Sequence, residues 1–270
     1  RPGGRCSGAP AARAPRSLRA RGGWLQPPLT ALGAHTHSTT QPSSHVIVGA
    51  TSVKFDSLGL RDQAAREILA LTMAHCREGT LTGGALSLQN NPDLTLTLDE
   101  CAPVVARFRL KVVDLAFNPR VGGGLRAVGA LDSLGTLYLG GCAAVEGELR
   151  ALEGLVRMEV LNLGNTGVSG DVRALARLTR LRELRLSDTK VSGDVGGLSS
   201  LVQMEQLSLT RTGVSGDVHA LARMRRLRDL RLLGSRITAP EGCPRDSDGD
   251  LWYEDAASCR GLLDWLDRNP

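Results

Sequence analysis

The chain has 270 residues, 41% of them hydrophobic but only 3% aromatic, with a formal net charge of +5. The length suits one large domain or two small ones, the core must be aliphatic, and no apolar run approaches the roughly 20 residues of a membrane-crossing helix. The positive charge is local: residues 1–55 hold six Arg, Lys54 and no acid, which leaves 26 basic and 28 acidic residues beyond them. A body with that balance gives no support to nucleic-acid binding.

Residues 1–50 form the first segment. Over 1–45 Gly, Pro, Ala, Arg and Ser dominate without a hydrophobic period, so disorder is expected, because too little surface can be buried to offset the entropy of ordering. The segment is Arg-rich, contains Ser and Thr, and lacks acids. This is the composition of an organellar transit peptide, for chloroplast or mitochondrion. A cytoplasmic chain with a plain tail is the alternative, and cleavage within residues 25–50 would separate the two.

Residues 51–82 are expected to form an N-terminal cap. In SLGLRDQAAREILALTMAHCR (57–77), Leu60, Ala64, Ile68, Leu71 and Cys76 fall near one face at helical spacing. Ser57 can cap the start of that helix.

Residues 83–240 repeat themselves. The segments MEVLNLGNTGVSGDV (158–172), LRELRLSDTKVSGDV (181–195) and MEQLSLTRTGVSGDV (204–218) share the frame LxxLxLxxTxVSGDV. Leu161, Leu184, Leu207 and Leu230 mark equivalent positions 23 residues apart, and Leu137, Leu115 and Leu86 mark looser units before them. Alternation in Leu184-Arg185-Leu186 reads as a short strand with both leucines inward. One unit cannot bury its leucines alone, so the units must stack. Gly170, Gly193 and Gly216 supply the turn in each unit where φ is positive.

This frame resembles the leucine-rich-repeat family, and TxVSGDV resembles the plant-type repeat without its proline. The resemblance implies an α/β solenoid: a curved parallel sheet on the concave side, short helices and turns on the convex side, and helical caps at both ends. It places a hydrogen-bonding ladder at Asn91, Arg120, Cys142, Thr166, Thr189, Thr212 and Ser235. Arg120 cannot be buried there unpaired, so that unit, with Gly122-Gly123-Gly124, is expected to be an irregular turn.

The resemblance also implies a partner-binding concave face. Its central column is read as Ser87, Ala116, Tyr138, Asn162, Arg185, Ser208 and Arg231, flanked by Glu183, Gln206 and Asp229. The candidate partner-binding residues are therefore Tyr138, Asn162, Glu183, Arg185, Gln206, Ser208, Asp229 and Arg231. The first four units read as nearly uncharged. A rival surface is the Arg-rich flank, Arg173 to Arg182 and Arg223 to Arg228, which could hold an acidic protein, a lipid or RNA.

Residues 241–270 are a second cap. Asp255 or Ser258 can start a helix carrying Leu262, Leu263, Trp265 and Leu266. Asp246-Ser247-Asp248-Gly249-Asp250 begins like a calcium loop, but Leu251 and Ala257 stand where the turn glycine and the closing glutamate belong. No Cys pair or Cys/His cluster has zinc spacing; Cys243 and Cys259 could form a disulfide or remain thiols. No catalytic arrangement is supported by spacing. The expectation is a non-enzymatic scaffold without cofactor that binds a protein partner: an organellar accessory subunit or assembly factor. A cytosolic adaptor of phosphatase or ubiquitin-ligase type, and a nucleic-acid or ribosome binder using the Arg flank, are the alternatives.

Overall fold

A computed structural model describes residues 47–49, 52–75, 83–246 and 249–269. In chain order these form β1 (Ile47–Gly49), β2 (Ser52–Lys54), α1 (Asp62–His75), β3 (Ala85–Ser87), α2 (Leu98–Arg107), β4 (Val112–Asp114), β5 (Gly122–Gly124), β6 (Thr136–Tyr138) and β7 (Ala144–Glu148). There follow β8 (Val160–Asn162), β9 (Gly167–Asp171), β10 (Glu183–Arg185), β11 (Lys190–Asp194), β12 (Gln206–Ser208), β13 (Gly213–Asp217), β14 (Asp229–Arg231), β15 (Arg236–Thr238), β16 (Trp252–Tyr253) and α3 (Ala256–Arg268). The strands assemble into a ten-stranded sheet, β1-β2-β3-β4-β6-β8-β10-β12-β14-β16, and a six-stranded sheet, β15-β13-β11-β9-β7-β5. Residues 1–46, Leu81, Thr82 and Cys76 lie outside the described residues, as do Ser247 and Asp248 of the acidic loop.

The leucine frame sets the register. Leu137, Leu161, Leu184, Leu207 and Leu230 pair in one row across parallel strands, and all are buried, as are Leu139, Leu163, Leu186, Leu209 and Leu232 two residues on. Between them Arg185 and Glu183 stay outside the core. The row continues through Val113, not Leu115: Val113 pairs with both Leu86 and Leu137. The expected register of that unit is thus two residues too far along. Valine fills the first apolar position there, and Leu115 takes the second.

The row also reaches back to Val53, which pairs in parallel with Leu86. The ladder therefore begins one coil before residue 83. Each coil turns its corner with one left-handed residue: Ser57, Asn90, Phe117, Gly141, Asn165, Asp188, Arg211 and Gly234, with φ between 51° and 81°. Ser57 is such a corner and not a helix cap; α1 starts at Asp62. Its buried stripe is Ala65, Leu69 and Thr72, beside the half-buried Ala64 and Ile68 of the expected face.

The shift of register also moves the ladder. Its second member is Asn118, fully buried, whereas Arg120 lies outside and faces Asp93 at 3.6 Å. The Asn118 Nδ2 donates to Leu115 O (2.7 Å) and to Leu88 O of the coil before (3.0 Å), and its Oδ1 accepts from Asn91 N at 2.6 Å. Asn91 repeats the pattern: Oδ1 accepts from Leu58 N and Leu60 N, and Nδ2 donates to Phe55 O and Leu88 O. Cys142 reaches back with its thiol to Leu115 O at 3.0 Å. Burial pushes that thiol up to about 11, so it stays protonated and a donor. Thr166, Thr189 and Thr212 reach only the carbonyl three residues before them, at 2.5–2.7 Å.

Gly122–Gly124 is no irregular turn but the first strand of the six-stranded sheet, paired in parallel with Ala144–Glu146. Three strands of this second sheet, β9, β11 and β13, are the VSGD segments, and the sheet occupies the return path, a layer the repeat frame did not announce. At Gly170 φ is +106°, and a Cβ there would lie 3.2 Å from Leu149 N; both facts require glycine. Asp171, Asp194 and Asp217 end these strands by accepting from the backbone N–H two residues on, which caps a short 3₁₀ turn. They are turn-forming acids before they are balancing charges.

The early coils carry a full helix instead. α2 begins with a capping box, Thr97 and Glu100 each accepting from the other's backbone N–H. Glu100 also accepts from Arg66 Nε at 2.6 Å, and Asp62 accepts from Thr95 N at 2.6 Å. Those two contacts tie α1 to the array, and the Thr95 bonds hold the Asp62 carboxyl below its ordinary range.

At the far end Asp255 caps α3, accepting from Ala257 N and Ser258 N. Cys259, Leu262, Leu263 and Leu266 are buried against the last coil, and Trp265 packs on its edge. Cys243 and Cys259 are separate buried thiols. β16 pairs antiparallel with β14.

Candidate functional site

The ten-stranded sheet buries one face and presents the other. Along the presented face the register aligns Lys54, Ser87, Asp114, Tyr138, Asn162, Arg185, Ser208 and Arg231, with Trp252 opposite Arg231. Glu183, Gln206 and Asp229 align in the column before them. All eight candidate residues therefore lie on one face of the sheet, where Ser208 is buried among its neighbours. Ala116 leaves the central column and Asp114 replaces it, a consequence of the corrected register. The early part of the face is consequently charged, with Lys54, Asp56 and Asp114. Burial, with Asp56 nearby, raises the Asp114 carboxyl above its ordinary range.

The middle of the face carries one aromatic side chain, Tyr138, beside the Asn162 amide. Tyr138 is half-buried, and its phenol is raised by desolvation and by the charges of Glu183 and Asp114. Beside it the Asn162 amide lies over Gly140, where a Cβ would come within 2.9 Å of its nitrogen.

The later part is a set of satisfied pairs. Arg185 Nε meets Glu183 Oε1 at 3.0 Å and its Nη2 donates to Gln206 Oε1 at 2.7 Å. Ser187 and Ser208 share a hydrogen bond of 2.6 Å. Arg231 Nε donates to Asp229 Oδ1 at 2.9 Å, and its guanidinium stands 5.1 Å over the Trp252 ring. Arg185, Gln206, Ser208, Asp229 and Arg231 line one hollow of about 150 Å³. Two residues beyond Ser208, Thr210 Oγ1 is buried without a hydrogen-bond partner. Exposed pairs of this kind contribute little stability, about 0–1 kcal/mol each, so a partner that replaces them loses little.

No family profile matches the sequence, and no curated protein matches it. Among solved structures, internalin C2 from Listeria monocytogenes aligns over 78% of this chain and 82% of its own, with TM-score 0.50 and 19% identity. The chain is a leucine-rich-repeat solenoid. The leucine-rich-repeat ectodomain of the Arabidopsis thaliana receptor kinase SOBIR1 is also similar, at 27% identity over 48% of this chain and 73% of its own, with TM-score 0.43. A third match, the Arabidopsis receptor kinase HAESA in complex with the peptide hormone IDA, has 21% identity over 59% of this chain and 31% of its own, with TM-score 0.46.

In the solenoid the ten-stranded sheet is the concave side. Sequence reasoning placed Asp114 in the flanking column instead of the central one, through the register, and missed Trp252, which the C-terminal segment contributes by returning one strand to the sheet. The signal was the run Leu251-Trp252-Tyr253 after a repeat array that needed an edge. The Arg flank is only partly free: Arg182 donates to Glu205 Oε1 through Nη2 at 2.6 Å, and Arg225 pairs with Asp267. Among the described residues no group of His, Cys, Asp and Glu could hold a metal, and no helix is long and apolar enough to cross a membrane.

Proposed function

We propose that this solenoid is a protein-binding scaffold that performs no chemistry of its own and takes its partner on the concave sheet between Tyr138 and Trp252. One observation carries the reading: two arginines and two aromatics, residue types that dominate binding energy at interfaces, project from one rigid row of strands. The ion pairs along that row hold Arg185 and Arg231 in place before a partner arrives, which lowers the entropy lost on binding. The acid-free residues 1–45 support a role as accessory subunit or assembly factor in an organelle, and processing within residues 25–50 would accompany it.

The paired variant Tyr138→Ala with Arg185→Ala tests the surface. Affinity capture from the native source followed by mass spectrometry identifies the partner, and titration measures it. The expected result is a loss of affinity of about a hundredfold or more, from two hot-spot truncations. Unchanged affinity in a folded variant would sink the site assignment.

A further inference from the structure

A second surface lies between the last coil and the C-terminal cap. Arg226 and Arg228, which lead into β14, and Arg260 on α3 line a cleft of about 310 Å³ whose inner wall includes Leu227 and Leu263. The three guanidinium groups are exposed. Among the described residues no carboxylate stands within 4.0 Å of any of them. Three nearby acids are engaged: Glu205, also on the cleft wall, is held by Arg182; Asp267 holds Arg225; and Asp255 accepts from its own helix backbone; a fourth, Asp264, acts on Arg225, the fourth arginine of the cleft wall. A column of alternating charge, Glu159, Arg182, Glu205 and Arg228, is joined by backbone bonds from coil to coil and ends on Arg228 without a following acid.

We propose that this cleft is an anion site for a diphosphate-bearing ligand. Three like charges gathered in one hollow repel one another, and a multivalent oxyanion relieves that repulsion. The planar guanidinium fork matches phosphate oxygens with paired hydrogen bonds. The cleft volume admits a group of diphosphate size and its apolar wall keeps bulk water to one side. The site is separate from the concave face, so its failure leaves the scaffold reading untouched, and the reverse holds.

Calorimetric titration of the full chain with inorganic pyrophosphate at low ionic strength tests it. Saturable one-to-one binding is expected. Arg226→Gln, Arg228→Gln and Arg260→Gln should each weaken it by about tenfold, the loss of one charge-assisted hydrogen bond. Arg185→Ala on the concave face should leave it unchanged. Vesicles carrying phosphatidylinositol bisphosphate, compared with plain phosphatidylcholine, separate a lipid headgroup from a free diphosphate; binding to either that the triple variant abolishes supports the site. Binding that the triple variant retains would overturn it, because the Arg-rich residues 1–45 would then be the anion's host. Citrate bound as tightly as pyrophosphate would overturn the assignment to phosphate.

Discussion

The early and the late coils of this solenoid solve the same problem with different chemistry. Coils must hold to one another where their leucines meet the turn. In the early coils Asn91 and Asn118 cross the gap, each with a carboxamide that donates to its own coil and to the coil before and accepts from the coil before. In the late coils Thr166, Thr189 and Thr212 satisfy only their own turn. There the five-residue strands β7, β9, β11 and β13 make the connection through the second sheet. Cys142 stands at the change-over, with a thiol that still crosses the gap. One region is laced by side chains and the other by backbone, and a hydroxyl suffices in the second because the backbone already spans it.

That contrast can be broken by substitution. Asn118→Ala should have the largest effect, about 2–4 kcal/mol by chemical denaturation, because it strands the buried Asn91 N at about 1–3 kcal/mol, removes one of two donors from Leu88 O and from Leu115 O, and leaves a cavity. A loss below about 1 kcal/mol would show that the carboxamide is not what joins the early coils. Gly170→Ala strikes the late coils, where a left-handed backbone meets a close neighbour. The expected loss is about 1–3 kcal/mol, with amide exchange rising first in β7 and β9. Thr189→Val should do least, at most about 1.5 kcal/mol, one hydrogen bond within a turn. If Thr189→Val matched Asn118→Ala, the two regions would not differ in the way the hydrogen bonds indicate.

Much of this was legible in the residues. Between Leu161 and Leu230 the frame recurs so regularly that strands, inward leucines and turn glycines follow from it. It fails where the frame is thin. In Lys111-Val112-Val113-Asp114-Leu115 two alternating readings are possible, and the leucine drew the register away from the valine. The buried Asn118 shows which is right, since Arg120 in that place would be an unpaired buried charge. Helix α2 was hidden by Pro103 in its middle, although Thr97 and Glu100 carry the capping-box spacing. The coil containing Val53-Lys54-Phe55 has no leucine in its strand at all, and only pairing across to Leu86 reveals it.

The candidate surface was legible to the same degree. The Tyr138-to-Arg231 column follows from alternation alone, because side-chain period on a strand is fixed at two. Its electrostatics do not: Asp114 entered the column through the register, and Trp252 came from a segment with no repeat. Whether acid and arginine neighbours pair or stand free also depends on rotamers, which no spacing encodes.

The antiparallel strands at the two ends of the concave sheet have a consequence for how such a chain can change length. β1 and β16 run against the ladder, and each is only two or three residues long. A further coil would meet no parallel neighbour on either, whereas the coils of the array stack on strands running the same way. The interior is different: every step from Leu161 to Leu230 is the same size and meets the same surface on both sides. The molecule is thus modular in its middle and terminated at its ends, like a row of identical links closed by two clasps. A block of 23 residues could be gained or lost between the clasps while both kept their fit.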